Sequence, residues 1–268
     1  MLIVDFHTHS IQSVHAMNTL EELLNCAQQK KIQAMAITDH SPGIDNTFHF
    51  MQQPERLPED YIWIKGPDYH YFHVLLTRYH APPEIPVQLF KGIECSILSH
   101  SKRKTDLPLK LAPDFDIVIA SIHAMPHLFQ IQSREQVTEK MIAAMSDPID
   151  ILGHPCQKSY CPDLEPVVKK AADSGIAMEL NCNSLFLKKA TIEDTIQMLK
   201  LALKHHCSIS LGSDAHMSNE LGMDYESKQL LDELKFPSEL IVNESLESAR
   251  KFVSARKKIR QEKARLAN

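Results

Sequence analysis

Short apolar segments and amphipathic segments alternate along most of this sequence. Seven apolar runs of strand length begin near residues 2, 33, 86, 116, 149, 176 and 207. Segments with helical periodicity separate most of them, at residues 20–30, 133–145, 164–174 and 192–206. Weaker helical patterns cover residues 226–234 and the chain from residue 246 onward. Strands that alternate with helices predict parallel βα units.

Polar side chains with metal-binding chemistry follow six of the seven predicted strands. They are His7 and His9, His40, Glu94, His123, His154, and Asp214 with His216. Because residues two apart in a strand share a face, we expect Asp5, His7 and His9 to project together. An open sheet feeds its site from two or three strands, whereas a closed barrel brings every strand to one rim. The pattern therefore predicts an α/β, TIM-barrel-like fold.

Residues 44–86 interrupt this alternation. They contain six prolines, several aromatic residues and four histidines, and one stretch, residues 68–79, fits a helix. Long insertions at such positions often act as lids or select substrates. A solvated excursion with no role at the site has equal support from the sequence.

Composition is typical of a globular protein, with 43% hydrophobic and 24% charged residues. The net charge of -5 argues mildly against a surface that coats nucleic acid but is compatible with a local basic groove. The six cysteines form no Cys-x-x-Cys pair, which predicts reduced thiols rather than a zinc ribbon. A strand that starts at residue 2 leaves no room for a signal peptide, and no run of about 18 apolar residues occurs, so we expect a soluble cytoplasmic protein.

Histidine is the unusual feature of the composition, with fifteen copies. The candidate metal ligands are His7, His9, His15, His40, Glu94, His123, His154, Asp214 and His216. One ion cannot use seven imidazoles and two carboxylates, so the set predicts two or three clustered ions, with Glu94 as a natural bridge. Nitrogen and oxygen donors without thiolate suit zinc, manganese or iron. Such clusters make hydroxide at neutral pH and clamp the oxygens of a displacement at phosphorus.

Six motifs, in chain order, resemble the polymerase and histidinol phosphatase (PHP) superfamily. They are Asp5-Phe-His-Thr-His9, Thr38-Asp-His40, Gly92-Ile-Glu94, Ser121-Ile-His123, Gly153-His-Pro155 and Gly212-Ser-Asp-Ala-His216. The resemblance implies a distorted (β/α)7 barrel, with residues 1–268 as a single domain. It also implies a centre of three divalent ions that hydrolyses phosphate esters.

The resemblance further implies which residues hold each ion. The three sets are His7, His9, Glu94 and Asp214; then Glu94, His123 and His154; then His15, His40 and His216. Glu94, Asp214 and His216 are the candidate catalytic residues. Glu94 is expected to join two ions, and Asp214 or His216 to assist proton transfer.

Four further residues are candidates for supporting roles. Lys158 and Arg56 are candidate substrate contacts, although each fits a solvated surface charge as well. Asp5 and Asp39 are candidates for orienting imidazole rings by hydrogen bonds, with a structural role in the strand-end turns as the alternative.

Together these inferences predict a metal-dependent phosphomonoesterase. Its substrate would be a small phosphate ester resembling histidinol phosphate, attacked by a hydroxide that bridges two ions. The alternative is a nuclease or DNA-repair phosphodiesterase, because the segment around residues 246–266 is basic. We expect that segment to be a solvated terminal helix. A non-catalytic metal-binding domain is disfavoured, since every expected ligand is present.

Overall fold

Seven parallel strands follow one another around a single sheet in the computed structural model. The model describes residues 1–13, 15–41, 69–99, 104–124, 129–130 and 133–267. The strands are β1 (Val4–Thr8), β2 (Ala34–Ile37), β3 (Gln88–Ser96), β4 (Ile117–Ser121), β5 (Ile151–Leu152), β6 (Ala177–Asn181) and β7 (Ile209–Gly212). Each strand pairs in parallel with its neighbour in sequence.

The first and last strands meet and close the sheet into a barrel. Thr8 and Ala215 form a parallel bridge. The backbone NH of His9 donates to the carbonyl of Ala215 at 2.9 Å, and that of Asp214 donates to the carbonyl of His7 at 2.8 Å. The predicted TIM-barrel-like α/β fold with seven strands is confirmed.

Helices connect most of the strands. They are α1 (Leu20–Gln29), α2 (Tyr69–Thr77), α3 (Arg134–Ala144), α4 (Leu164–Ser174), α5 (Cys182–Phe186), α6 (Ile192–His205), α7 (Ser227–Glu233) and α8 (Leu246–Ala267), with a 3-10 turn at Ser238–Leu240. The short helix α5 was not predicted from periodicity. Asn181 caps its N-terminus, with a side chain that accepts from the backbone NH of Ser184. No helix within the described ranges is long and apolar enough to cross a membrane.

Buried apolar residues form two layers, one outside the barrel and one inside it. The outer layer joins the strands to the surrounding helices. The inner layer consists of alternate strand residues, such as Val4, Phe6 and Ile119, packed against α8. The ring of Phe252 on α8 stacks on that of Phe6, with centroids 6.3 Å apart. Helix α8 therefore closes the end of the barrel where the strands begin.

Two arginines of α8 are buried, contrary to the expected solvated helix. Arg260 is 1% exposed and Arg256 is 7% exposed. Both form ion pairs with the fully buried Asp150. Because the inner face of α8 packs into the barrel, only its outer face is solvated.

The insertion predicted at residues 44–86 is described from residue 69 onward, and residues 44–68 lie outside the described ranges. The predicted helix appears as α2. Phe72 is fully buried, and its ring packs edge-on against Phe115 at 5.6 Å. The Nζ of Lys91 donates to the carbonyl of Tyr79 at 2.7 Å. These contacts fix α2 against the outer surface of the barrel.

Candidate metal centre

All nine predicted ligands are described, and they converge at the end of the barrel where the strands finish. His7 and Glu94 lie within strands, while the other ligands lie in the segments that follow strands β1, β2, β4, β5 and β7. His7, His9, His40, Glu94 and His154 are buried, His123, Asp214 and His216 are half-buried, and His15 is exposed. The set thus runs from the barrel axis to the solvent.

Glu94 lies at the centre of the cluster. Its Oε2 is 3.4 Å from His7 Nε2, 3.5 Å from His9 Nε2 and 2.8 Å from His40 Nδ1. Its Oε1 is 3.0 Å from His154 Nε2 and 3.5 Å from His123 Nε2. One carboxylate therefore faces five imidazoles, which is the position a bridging ligand requires.

The remaining ligands flank this carboxylate. Asp214 Oδ1 is 3.5 Å from His7 Nε2 and 3.3 Å from His9 Nε2. His15 Nε2 is 3.4 Å from His40 Nε2, and the rings of His15 and His216 stack at 4.4 Å. Three compact groups have ligand atoms within 4.8 Å of one another: His9, His40 and His216; His7, His9 and Asp214; His40, Glu94 and His123.

Several of these inward-facing atoms are buried and have no hydrogen-bond partner among the described residues. They are Nε2 of His7, His9 and His216, Nδ1 of His40, and Oε2 of Glu94; the last two lie 2.8 Å apart but not in hydrogen-bond geometry. An unsatisfied buried polar atom costs about 1–3 kcal/mol, so five in one place need an explanation. Divalent cations would satisfy all five, and imidazole with carboxylate is a donor set that zinc, manganese and iron accept. The residues present therefore fit a metal cluster.

Hydrogen bonds on the outer side of the rings fix which nitrogen faces the cluster. Glu179 Oε1 lies 2.7 Å from His7 Nδ1, and a carboxylate accepts. The backbone carbonyl of Asp214 lies 3.0 Å from His216 Nδ1 and can only accept. Each Nδ1 must therefore carry the proton, which leaves the lone pair of Nε2 directed at the cluster.

The electrostatics of the site favour neutral imidazole at His9 beside ionised Glu94, whereas Glu179 and the other carboxylates around His7 outweigh its burial and raise its pKa well above the usual value. Burial lowers the pKa of His9 well below its usual value, and the nearby His216 and His40 lower it further. Burial alone would raise the pKa of Glu94, but His7 and its neighbours outweigh it and hold that pKa well below the usual range. Neutral imidazole and carboxylate are the forms that bind metal.

Local backbone geometry explains the glycines in two of the motifs. A Cβ on Gly212 would lie 2.4 Å from Glu179 Oε1 and 2.7 Å from the Cβ of His7. A Cβ on Gly153 would lie 2.1 Å from Ser121 Oγ. Only glycine lets these backbones approach the site so closely.

Two ligands occupy a backbone region that costs energy. His154 has a φ of 28° and Asp214 a φ of 55°, in the left-handed region that side chains other than glycine rarely adopt. Such positions cost about 1–3 kcal/mol each and persist where surrounding contacts enforce them. His154 directly follows Gly153, and Asp214 lies two residues after Gly212.

Asp5 does not orient an imidazole ring as one prediction had it. Its carboxylate accepts from Ser213 and from the backbone NH of Gly222 at 2.9 Å. The pairing register of β1 shifts between Asp5 and Thr8, which breaks the strict alternation that the prediction assumed. Asp5 thus has the alternative, structural role, and Glu179 supplies the carboxylate for His7.

Glu179 is the principal residue whose contacts with the candidate ligands sequence reasoning did not predict. Besides His7, it accepts from the backbone NH of His154 at 2.7 Å and from Asn181 Nδ2 at 3.1 Å. Its place at the end of β6 was the available signal, because every other strand ends on a ligand. Tyr160 was also missed: its hydroxyl lies 2.6 Å from His154 Nδ1.

A cavity of about 240 Å³ opens over the cluster. Of the side chains that line it in the described part of the chain, Lys189 alone carries a fixed positive charge. Lys158 is exposed and is not part of the lining, although its backbone NH donates to the carbonyl of Lys189 at 2.8 Å. Arg56 lies outside the described residues. A larger cavity of about 330 Å³, beside Met1 and helix α7, contains none of the nine ligands.

The sequence and the fold are both similar to known proteins. Residues 5–183 match the PHP domain. A protein of Caldicellulosiruptor saccharolyticus named probable phosphatase is 32% identical over 254 residues, which cover 94% of this chain and 96% of the relative. A probable phosphatase of Shewanella halifaxensis is 31% identical over 257 residues, covering 95% and 93%.

Among solved structures, a histidinol phosphate phosphatase of Lactococcus lactis in complex with zinc, L-histidinol and phosphate has a similar fold. The TM-score is 0.55 at 15% identity, over 87% of this chain and 94% of that one. At this identity the likeness shows the fold alone. The match to the PHP domain covers more than half of the chain, and the two relatives are similar over nearly their whole length. The chain therefore belongs to the PHP domain family.

Proposed function

We propose that this PHP-family phosphatase is a phosphomonoesterase that uses three bound divalent ions to hydrolyse a small-molecule phosphate ester. Its relatives are named probable phosphatases. The observation that carries the finer proposal is the convergence of nine candidate ligands around Glu94, with five buried ligand atoms that have no hydrogen-bond partner among the described residues.

Three ligand sets account for the nine side chains. In our proposal the sets are His7, His9, Glu94 and Asp214; then Glu94, His123 and His154; then His15, His40 and His216. The contacts of Glu94 on both of its oxygens support a bridge between the first two sets. The 3.4 Å approach of His15 and His40 supports the third.

The side chains of the site would position the substrate and the ions. Bound divalent ions supply hydroxide at neutral pH and neutralise the charge on phosphoryl oxygens. Asn181 Nδ2 donates to Asp214 Oδ2 at 3.2 Å, so Oδ1 is the oxygen that faces the histidines. Lys189 lines the cavity, where its ammonium group can bind a phosphoryl oxygen.

The size of the cavity favours a small leaving group. At about 240 Å³ it is below the usual range for drug-sized ligands, about 300–1,000 Å³. The Lactococcus lactis structure of the same fold contains L-histidinol and phosphate. A phosphate ester of a small amino alcohol, such as histidinol phosphate, is therefore our first candidate substrate.

The nuclease alternative depended on the basic segment at the end of the chain. Two of its arginines, Arg256 and Arg260, are buried against Asp150. Lys257 pairs with Asp116 at 2.8 Å. Because these three charges pair with carboxylates of the barrel, they are not available to bind a nucleic-acid backbone, which weakens the support for this alternative.

Hydrolysis assays test the proposal. Purified protein is assayed with p-nitrophenyl phosphate, histidinol phosphate, bis(p-nitrophenyl) phosphate and labelled single-stranded DNA, after chelation and after addition of zinc or manganese. We expect metal-dependent hydrolysis of the monoesters, loss of that activity in His9→Ala, and retention in His80→Ala, whose histidine is exposed. Hydrolysis of the diester or DNA in preference to both monoesters would contradict the proposal, as would inactivity of the metal-loaded protein on all four substrates.

A further inference from the structure

Helix α2 reaches the metal centre through Tyr71. The hydroxyl of Tyr71 donates to Asp39 Oδ2 at 2.5 Å. Next to Tyr71, the buried Phe72 anchors the helix against Phe115. Asp39 immediately precedes the candidate ligand His40 in the chain. The helix therefore places the Tyr71 hydroxyl among the side chains that surround the candidate ligands.

Asp39 is fully buried and collects four hydrogen bonds. Its Oδ1 accepts from the backbone NH of Ser10 at 2.7 Å and from Ser13 Oγ at 2.8 Å. Its Oδ2 accepts from Ser10 Oγ at 2.8 Å and from Tyr71. Two donors on each oxygen leave the carboxylate a single orientation. Asp39 thus orients the hydroxyl groups of two serines rather than an imidazole ring.

Ser13 links Asp39 to His9 by hydrogen bonds, and so fixes which nitrogen of His9 carries the proton. A hydroxyl has one proton, and Ser13 gives it to Asp39. Ser13 Oγ must therefore accept from its other neighbours, the backbone NH of His40 and Nδ1 of His9, each at 3.1 Å. His9 then carries its proton on Nδ1, and its Nε2 lone pair faces Glu94 and Asp214.

We propose that Tyr71 is a positioning residue for the metal centre, which acts through Asp39 and Ser13 to hold His9 in the tautomer that binds metal. This inference rests on the part of the proposed function that makes His9 a ligand. It gives α2 a supporting role at the site. Without the phenol hydroxyl, Oδ2 of Asp39 loses one of its two donors and the carboxylate can rotate away from Ser13.

The inference is tested by the zinc affinity of the full-length protein, which is measured by competition with a chromogenic chelator. Tyr71→Phe removes only the hydroxyl, and Ser13→Ala removes the link to His9. Tyr69→Phe is the matched control, because Tyr69 is exposed on the same helix. We expect Tyr71→Phe and Ser13→Ala each to weaken zinc binding about 10-fold or more, as loss of a ligand's supporting hydrogen bond does. Tyr69→Phe should bind as the wild type does.

The double variant separates positioning from general stability. If Tyr71 acts through Ser13, then Tyr71→Phe with Ser13→Ala binds zinc no more weakly than Ser13→Ala alone. A purely structural role would lower the melting temperature of the metal-free protein and leave zinc affinity unchanged. Zinc affinity of Tyr71→Phe or Ser13→Ala equal to that of the wild type overturns the inference, and so do additive losses in the double variant. Should Tyr71→Phe not fold, the smaller change Ser13→Ala decides.

The inference and the proposed function fail separately. Zinc binding that depends on Tyr71, in a protein that hydrolyses no phosphate ester, would overturn the proposed function alone. Metal-dependent hydrolysis, together with a zinc affinity that Tyr71→Phe leaves unchanged, would overturn this inference alone.

Discussion

Replacing Glu179 by glutamine should weaken metal binding although no metal ligand is changed. The substitution keeps the shape of the side chain and removes its charge. Glu179 Oε1 accepts from His7 Nδ1, and Oε2 accepts from the backbone NH of His154 and from Asn181. Both oxygens must therefore accept, whereas an amide has only one oxygen.

Either orientation of the glutamine amide creates a conflict. With its NH2 group toward His7, the imidazole must accept at Nδ1, so its proton moves to Nε2, the nitrogen that faces Glu94 and Asp214. With its oxygen toward His7, the NH2 group opposes the donors of His154 and Asn181. An unsatisfied buried group costs about 1–3 kcal/mol, which corresponds to about 5- to 150-fold in affinity.

Zinc competition titrations and kcat/KM on p-nitrophenyl phosphate measure this effect. Glu179→Gln should lose affinity and activity within that range. Glu139→Gln, at an exposed glutamate of α3, should match the wild type. If Glu179→Gln binds the same number of ions with affinity within about twofold, inside the scatter expected of a neutral change, then Glu179 does not fix the tautomer of His7 and the reasoning is wrong.

Three further predictions test other parts of the structure. Arg260→Met breaks a buried ion pair and should lower the free energy of unfolding in urea by about 3–5 kcal/mol, whereas Lys257→Met, at a partly exposed pair, should cost less than about 1 kcal/mol; equal losses would contradict this. In Gly212→Ala the new Cβ is forced against Glu179, so kcat/KM should fall about 100-fold. Normal activity of this variant would disprove the prediction. Lys189→Met should raise KM about 10-fold, and should raise equally the phosphate concentration needed for inhibition, because about one hydrogen bond to a charged group is lost. Lys158→Met should change neither value. The reverse pattern would assign the role to Lys158.

The positions of the candidate ligands could be predicted because their chemistry and their place in the chain agree. His40, Glu94 and His123 each come at or just after an apolar run, and parallel strands end at one rim. No long-range contact is needed for that inference. The same reasoning gave the number of strands and the helix of the insertion.

The supporting residues could not be predicted, because their partners are distant in the sequence. Glu179 meets His7 across 172 positions. Asp5, which lies two residues from His7, bonds instead to Ser213 because the register of β1 shifts. Lys158 and Lys189 look equivalent in the sequence, and only the pairing of their two loops shows which one lines the cavity.

The two ends of the barrel differ in how they contribute to stability. Where the strands begin, Asp150 is satisfied by Arg256 and Arg260, and α8 covers the apolar interior. Where the strands end, His154 and Asp214 have strained backbones, and five buried ligand atoms have no hydrogen-bond partner within the described structure. The cost of strained backbone and unsatisfied atoms thus falls at the end that carries the candidate metal centre, an arrangement expected where function conflicts with local preference.

Metal binding removes part of that cost, because ions satisfy the unpaired atoms in the folded state alone. Ligands that bind only the folded state stabilise it by an amount that grows with their concentration. Chelation should therefore lower the melting temperature as well as the activity, and zinc should restore both. In Arg260→Met, which has less stability in reserve, the metal-free protein should unfold at a lower temperature than the metal-free wild type, although Arg260 touches no ligand of the centre. Equal melting temperatures of the metal-free proteins would show that the two ends do not share one cooperative unfolding transition.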